Sequence, residues 1–205
     1  MIVTFIPAAG QSSRMAGRDK LLETIDGTAI LRRTALTTLA AGLGPVCVGI
    51  DPDNRLRRKV LEGLDVTILN VPNAHEGMSA SLRIGAKAAL KIIQSDKDEH
   101  TGMMILLPDM PDIDTKDLTY LNNAFKSSGG TAIRATTTDN LPGHPVIFPT
   151  KMLTSFKTLT GDKGAARLLT SETCVQIALP GNRATQDLDT PEAWAAWRKS
   201  TKTTL

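Results

Sequence analysis

"IVTFIPAAGQSSRMAGRDKLL", residues 2–22, opens the chain. Residues 2–6 are apolar without alternation, as expected for a strand covered on both faces. Pro7 ends the run. The loop beyond it is rich in small residues and carries Arg14, Arg18 and Lys20 on its far side. Two readings are open, a basic solvated loop or a cradle for a bulky anion. Ala8, Ala9 and Gly10 leave backbone N–H groups uncovered, so a phosphate can approach them. Ser12 and Ser13 add hydroxyl donors, Arg14 a planar fork and Lys20 a mobile point charge. The pattern is neither the P-loop G-x-x-x-x-G-K-[ST] nor the dinucleotide fingerprint G-x-G-x-x-G.

Working outward, the opening strand is the first of seven predicted, over 2–6, 46–50, 66–69, 103–107, 131–135, 145–148 and 175–179. Helices are predicted over 28–41, 54–63, 79–95, 115–127, 163–170 and 191–199. The clearest is 79–95, where Leu82, Ala86, Ala89, Leu90 and Ile93 recur at spacings of three and four, with Ser79 as its cap. Pro191 suits a first helical turn. Alternation of strand and helix predicts an α/β fold with a mostly parallel sheet. Residues 95–102 read as a solvated connection and 200–205 as a frayed tail.

A chain of 205 residues with 41% hydrophobic and 22% charged residues is ordinary for a single globular domain over 1–205. The seven aromatic residues leave the core to Leu, Ile, Val, Ala and Met. A net charge of +3 suits small anions but is not the clustered basic and aromatic footprint of a nucleic-acid binder. Cys47 and Cys174, each beside Val in an apolar run, read as reduced, buried core thiols, and no Cys/His spacing suggests zinc. The N-terminus has neither a charged n-region nor a membrane-length apolar run, which predicts a cytoplasmic protein without membrane association.

Ligands of such sheets collect at the carboxyl ends of the strands. Three loops there stand out, after the first, third and fourth predicted strands, over 7–20, 70–79 and 108–114. In "LLPDMPDID", 106–114, prolines flank Asp109 and restrict its backbone. A carboxylate fixed there suits Mg²⁺, which completes its shell with phosphates and water. The alternative, a capping role, fits Asp112 or Asp114 better. In "QDLDTPEAW", 186–194, Asp189 is either a second metal carboxylate or, with Thr190, the cap of the next helix. In "EGMSASLRIG", 76–85, Ser79 and Ser81 lie exposed at a helix N-terminus, able to meet an anion or a base edge, or Ser79 simply caps. His144 in "GHPVIFP", 143–149, is structural or functional. Asp162 caps a helix whose solvated face holds Lys163 and Arg167.

Taken together, these segments resemble the MobA-like NTP-transferase family, the nucleotidyltransferases of the molybdenum-cofactor pathway. "AAGQSSRM…KLL" resembles the signature A-[AG]-G-x-S-x-R-M-G-x-x-K, and "GMSASLRIG", "LLPDMPDI", "GHPVIF", "GDKGA" and "DLDTPE" resemble further blocks in the family's order. Ala8-Ala9-Gly10 and "GMSASLR" are similar to the CTP:molybdopterin cytidylyltransferase branch; guanylyl enzymes tend to carry A-G-G. The stretch from Arg14 to Lys20 is one residue longer than the signature, which leaves the reach of Lys20 to the phosphates open.

The resemblance implies a three-layer α/β/α sandwich with a Rossmann-like, mostly parallel sheet. It implies transfer of CMP from CTP to the terminal phosphate of molybdopterin, with Mg²⁺ as cofactor. Other nucleotidyl transfers are the alternative, guanylyl or cytidylyl to another phosphorylated acceptor, as is a non-catalytic nucleotide-binding module. It assigns Arg14, Lys20 and Asp109 to catalysis and Asp109 with Asp189 to the metal. Pro7, Ala8, Ala9, Gly10, Ser12, Ser79 and Ser81 would bind the nucleotide, and His144 would face the acceptor. Molybdoenzymes or their chaperones are the implied protein partners.

Overall fold

Strands and helices do alternate. The structure, a computed structural model, describes residues 1–94, 96, 100–161, 164–169 and 174–202. In chain order the elements are β1 (Ile2–Pro7), the short pair β2 (Thr24–Ile25) and β3 (Thr28–Ala29), α1 (Ile30–Ala41), β4 (Val46–Ile50), α2 (Arg55–Lys59), β5 (Thr67–Asn70), α3 (Met78–Ile93), β6 (Gly102–Ile105), α4 (Thr115–Ser127), β7 (Ala132–Thr136), β8 (Pro142–Pro149), α5 (Thr150–Leu153), β9 (Cys174–Ala178) and α6 (Pro191–Lys202). Seven strands form one sheet in the order β5-β4-β1-β6-β8-β7-β9. All neighbours run parallel except β8, which is antiparallel to both β6 and β7.

Side-chain alternation along β1 explains the layers. Val3 and Phe5 point to one face, where they pack with Leu82, Ala86 and Ala89 of α3. Ile6 points to the other, against Ile30, Leu31 and Ala35 of α1 and Trp194 of α6. Met104 meets Leu118, Leu121 and Phe125 of α4. The result is the expected mostly parallel, Rossmann-like sheet flanked by helices. Strand β1 pairs with β4 on one side and β6 on the other, so the strand order reverses beside it. The crevice between the carboxyl ends of β1 and β6 is therefore the natural ligand position. Among the described residues no helix is long and apolar enough to cross a membrane.

Five expectations change. The start of the predicted helix 28–41 is a hairpin, because Asp26-Gly27 adopts positive φ at both turn positions (50° and 76°) and Thr28 pairs back with Ile25. The predicted helix 54–63 stops at Lys59 and continues as tight turns, Leu61 N–H to Arg58 O and Leu64 N–H to Leu61 O. Residues 200–202 extend α6 rather than fray. Cys174 is only half-buried, whereas Cys47 is buried and its thiol is pushed up to about 11 by that burial. Of the predicted helix 163–170, Ala166–Leu168 forms a single 3₁₀ turn. The cap Asp162, Lys163, Thr170, most of the 95–102 connection and residues 203–205 lie outside the described residues.

Gly85 lets α3 lie on the sheet. A Cβ there would stand 2.6 Å from the Phe5 ring. Substituting Gly85→Ala should lower stability by about 1–3 kcal/mol, read from the urea midpoint, because the Phe5 ring has no room to turn away. An unchanged midpoint would show that the helix can slide off the ring.

Candidate functional site

The loops after β1 and β6 meet. Lys20 Nζ lies 2.5 Å from Asp109 Oδ2 and also donates to Asp189 Oδ1. The exposed Arg14 guanidinium reaches Asp189 Oδ2 at 2.5 Å. Asp189 is brought opposite Asp109 by the backbone, since Leu188 N–H donates to Asp109 O at 3.1 Å. The loop holding Asp109 is fixed from below, where the Thr34 hydroxyl of α1 donates to Pro108 O at 3.1 Å. These groups line a cleft of about 640 Å³ together with Asp187, Pro7, Gly10 and Ser81.

Three carboxylates thus face two cations. Burial would raise the Asp189 carboxyl, but the hydrogen bond and charge of Lys20, with Arg14, hold it below the ordinary value. Burial would lower Lys20, and Asp109 and Asp189 outweigh it, so the ammonium is more firmly protonated than usual. Asp187 is pushed up by burial and by the charges of Asp189 and Asp109. Asp109 Oδ1 is buried without a hydrogen-bond partner. Two hard-oxygen donors aimed at one cation-sized position, with a spare buried oxygen, fit Mg²⁺ or a similar ion. Among the described residues no group of three or more His, Cys, Asp or Glu forms a ready-made metal centre; Lys20 bridges Asp109 and Asp189.

The loop's shape has a cause that the sequence reading missed. Arg57 of α2 is 3% exposed and sits under it. Its guanidinium donates to Ala8 O at 2.7 Å, Gly10 O at 2.8 Å, Ser12 Oγ at 3.3 Å and both carboxylate oxygens of Asp19 at 2.8 Å. Burial would raise the Asp19 carboxyl, and Arg57, with the Leu21 N–H and Asn54, more than reverses it. The extra residue between Arg14 and Lys20 is absorbed by Ala16 and Gly17, both at positive φ (50° and 83°), so Lys20 still reaches the cleft. In sequence, Arg57 is one of four cations in Arg55–Lys59, and nothing there marks which of them turns inward.

Several expected ligand contacts are already committed. Ala8 N–H donates to Gly49 O, and Ala8 and Ala9 are buried behind the cleft, so the bare backbone begins at Gly10 rather than Ala8. Ser12 Oγ donates to Asp19 and accepts from Lys20 N–H, which makes it part of the loop's frame, not a free donor. Ser79 and Ser81 are buried, not exposed, and Ser79 does not cap α3; its hydroxyl and N–H both donate to Gly161 O. Gly77, at φ 91°, precedes the helix instead. Asp114 caps α4 with Asp117 in a reciprocal box, and Arg183 braces both. Asp112 accepts from Trp197 Nε1 at 2.9 Å. Thr190 Oγ1 accepts from Ala193 N–H at the start of α6, leaving Asp189 to the cleft. His144 lies off the main cleft, in a chamber of about 220 Å³.

A family model described as "MobA-like NTP transferase domain" matches residues 4–177. No curated protein sequence matches the chain. Among solved structures, a homologue of Rv0371c from Mycobacterium sp. strain JC1 is 22% identical, covering 100% of this chain and 98% of that one, with a TM-score of 0.81. Rv0371c of Mycobacterium tuberculosis H37Rv, in complex with manganese, is 20% identical over 97% and 98%, with a TM-score of 0.75. CMP:2-keto-3-deoxy-manno-octonic acid synthetase complexed with CTP is 14% identical over 100% and 99%, with a TM-score of 0.72. These structural likenesses concern the fold.

Replacing Arg57 by Met should cost about 3 kcal/mol at pH 7 in urea unfolding, since it strands a partly buried carboxylate and two carbonyls. The Asp19 contribution is complete above the ordinary value of 3.8 and is lost as pH falls through the lowered folded-state value. The difference between wild type and variant should therefore shrink below pH 4. A difference independent of pH would place the loss in the carbonyl contacts alone.

Proposed function

Because the chain belongs to the MobA-like NTP transferase family, and so is a nucleotidyltransferase, we propose that it transfers CMP from CTP to the terminal phosphate of molybdopterin. The observation that carries this reading is the convergence of Lys20, Arg14, Asp109 and Asp189 in one cleft at the carboxyl ends of β1 and β6. A phosphate oxygen of the acceptor attacks the α-phosphorus of CTP. The bond from that phosphorus to the bridging oxygen breaks, and pyrophosphate leaves with the electron pair. Such a reaction demands charge neutralisation along the triphosphate more than proton transfer.

Lys20 and Arg14 supply cationic donors to the phosphate oxygens. Gly10 opens the main chain to them, and Pro7 and Ser81 form walls of the same cleft. Ala8, Ala9, Ser12 and Ser79 act indirectly, by holding those walls. Asp109 and Asp189 are the residues that would hold Mg²⁺, and the ion would add positive charge where the pyrophosphate leaves. Members of this family commonly use a divalent metal. His144 faces the acceptor from its side chamber.

The choice of cytosine rests on the resemblance of Ala8-Ala9-Gly10 and "GMSASLR" to the cytidylyl branch. A second reading has its own support, because a CTP-complexed synthetase of a different acceptor shares this fold. It is nucleotidyl transfer from CTP or another NTP to another acceptor. Molybdoenzymes or their chaperones would receive the product under the first reading only.

Incubation with molybdopterin, Mg²⁺ and each NTP in turn should release pyrophosphate fastest with CTP; faster release with GTP reverses the base, and release only with a different phosphorylated acceptor selects the second reading. Asp109→Asn should lower that release by at least about a hundredfold while the circular dichroism spectrum is kept. Wild-type turnover would remove Asp109 from the mechanism. Gly10→Ala provides a control on the cradle, since a Cβ at Gly10 meets no protein atom within 4 Å. Its stability should stay within about 0.5 kcal/mol of wild type while CTP binding, followed by calorimetry, weakens. Unchanged CTP affinity would place the triphosphate elsewhere.

A further inference from the structure

The geometry points to Arg134 as the residue that selects the acceptor, by recognising an anionic group on a compact ring body seated in the chamber beside the cleft. This rests on the nucleotidyl-transfer reading of the cleft and adds to it the residue that discriminates among second substrates. Ile105 of β6, Val146 of β8 and Arg134 of β7 pair across three neighbouring strands. All three line the chamber. His144, two residues before Val146 on β8, lines it too. Because β8 runs against β6, its beginning lies at the carboxyl end of β6, where Asp109 follows. Met78 and Leu107 line both the chamber and the cleft, so the two spaces adjoin.

Among the described residues that line the chamber, all but Arg134 and His144 are apolar. Its walls include Leu82, Phe148 and Leu169. Arg134 is partly buried, and its Nε donates to Gly143 O at 3.2 Å. Among the described residues no carboxylate pairs with its guanidinium. His144 Nδ1 is buried with no hydrogen-bond partner. Burial, then the Arg134 charge, lowers the imidazole to about 4, against an opposing effect of the Ile105 main chain, so the ring is neutral near pH 7. A buried polar atom without a partner is costly unless a ligand completes it. His144 is held in place by its N–H bond to Ala184 O at 2.8 Å. Gly143 permits that approach, since a Cβ there would stand 1.8 Å from the same oxygen.

A volume of 220 Å³ sets the size of the guest. An apolar cavity of about 150 Å³ accepts benzene, so this one accepts a fused two-ring body. The apolar walls take the ring faces, His144 Nδ1 meets a polar ring edge, and Arg134 pairs with an anionic substituent. A lone apolar ring would leave both groups unpaired, and a bare phosphate would leave the walls uncovered.

Quinoxaline-2-carboxylate and its uncharged parent quinoxaline are suitable probes, titrated calorimetrically at pH 7. The acid should bind wild type about tenfold more tightly than the parent, as a charge-assisted pair predicts. Arg134→Gln should abolish that preference, and Arg134→Lys should restore part of it. Ala166→Trp, made from an exposed position on the chamber wall, should weaken both probes. Equal binding of the two probes to wild type, binding of neither, or a preference unchanged in Arg134→Gln overturns the assignment. CTP with Mn²⁺ is titrated in parallel. Its affinity should be the same in Arg134→Gln as in wild type, and the acid should still bind to the CTP-loaded protein; displacement of one by the other overturns the separate chamber. Failure of wild type to bind CTP bears on the nucleotide reading and leaves the probe comparison standing.

Discussion

One buried guanidinium shapes the loop after β1 at the carboxyl edge of this sheet. Arg57 reaches from α2 under the loop after β1 and fixes it at Ala8, Gly10, Ser12 and Asp19. A loop of small residues would otherwise sample many conformations, and ordering it costs entropy with few apolar contacts in return. Charge-assisted hydrogen bonds in a dry setting supply that order. With the carbonyls turned down onto Arg57, the upper side of the loop is left to Gly10, Arg14 and Lys20. The basic face that the sequence displays is thus the outer half of a two-sided arrangement, with the acid and the arginine hidden beneath.

The second consequence is electrostatic. Asp109 and Asp189 come from segments eighty residues apart, tied by a single backbone hydrogen bond from Leu188 to Asp109. Two carboxylates so close would repel each other and shed charge. Lys20 and Arg14 hold the Asp189 carboxyl below its ordinary value, while Asp187 is pushed up by burial and by the charges of Asp189 and Asp109. The cleft therefore holds cations and carboxylates in mutual balance, and an incoming polyanion with its counter-ion exchanges one set of partners for another instead of entering a bare charge.

Much of the architecture was legible because it follows from periodicity. Unbroken apolar runs gave away β1 and β6, and the spacing of Leu82, Ala86 and Ala89 gave away α3. The Asp26-Gly27 hairpin was also written in the chain but was absorbed into a helical pattern that begins one step later. What the sequence conceals is the direction in which a polar side chain turns. Ser12 and Ser79 have the composition of ligand donors, yet one frames a loop and the other joins α3 to Gly161. Arg57 sits among Arg55, Arg58 and Lys59 with no local distinction, and only the carbonyls brought over it by the loop after β1 make it special. Asp109 was recognisable as a candidate from its proline-flanked setting, whereas Asp189 was a candidate only in competition with a helix-capping role; their meeting across the crevice depends on long-range backbone pairing that no local pattern records.

The reversed strand β8 divides labour along the ligand edge. Parallel strands present only their ends there, and the chain then departs into a helix that the core needs. An opposed strand presents its beginning, preceded by the exposed turn at Asn140 and Leu141, which the core hardly uses. Residues on that approach can vary in size and charge without disturbing the loops of β1 and β6. A lineage with this scaffold can accordingly change what it modifies while leaving untouched what it uses to modify it.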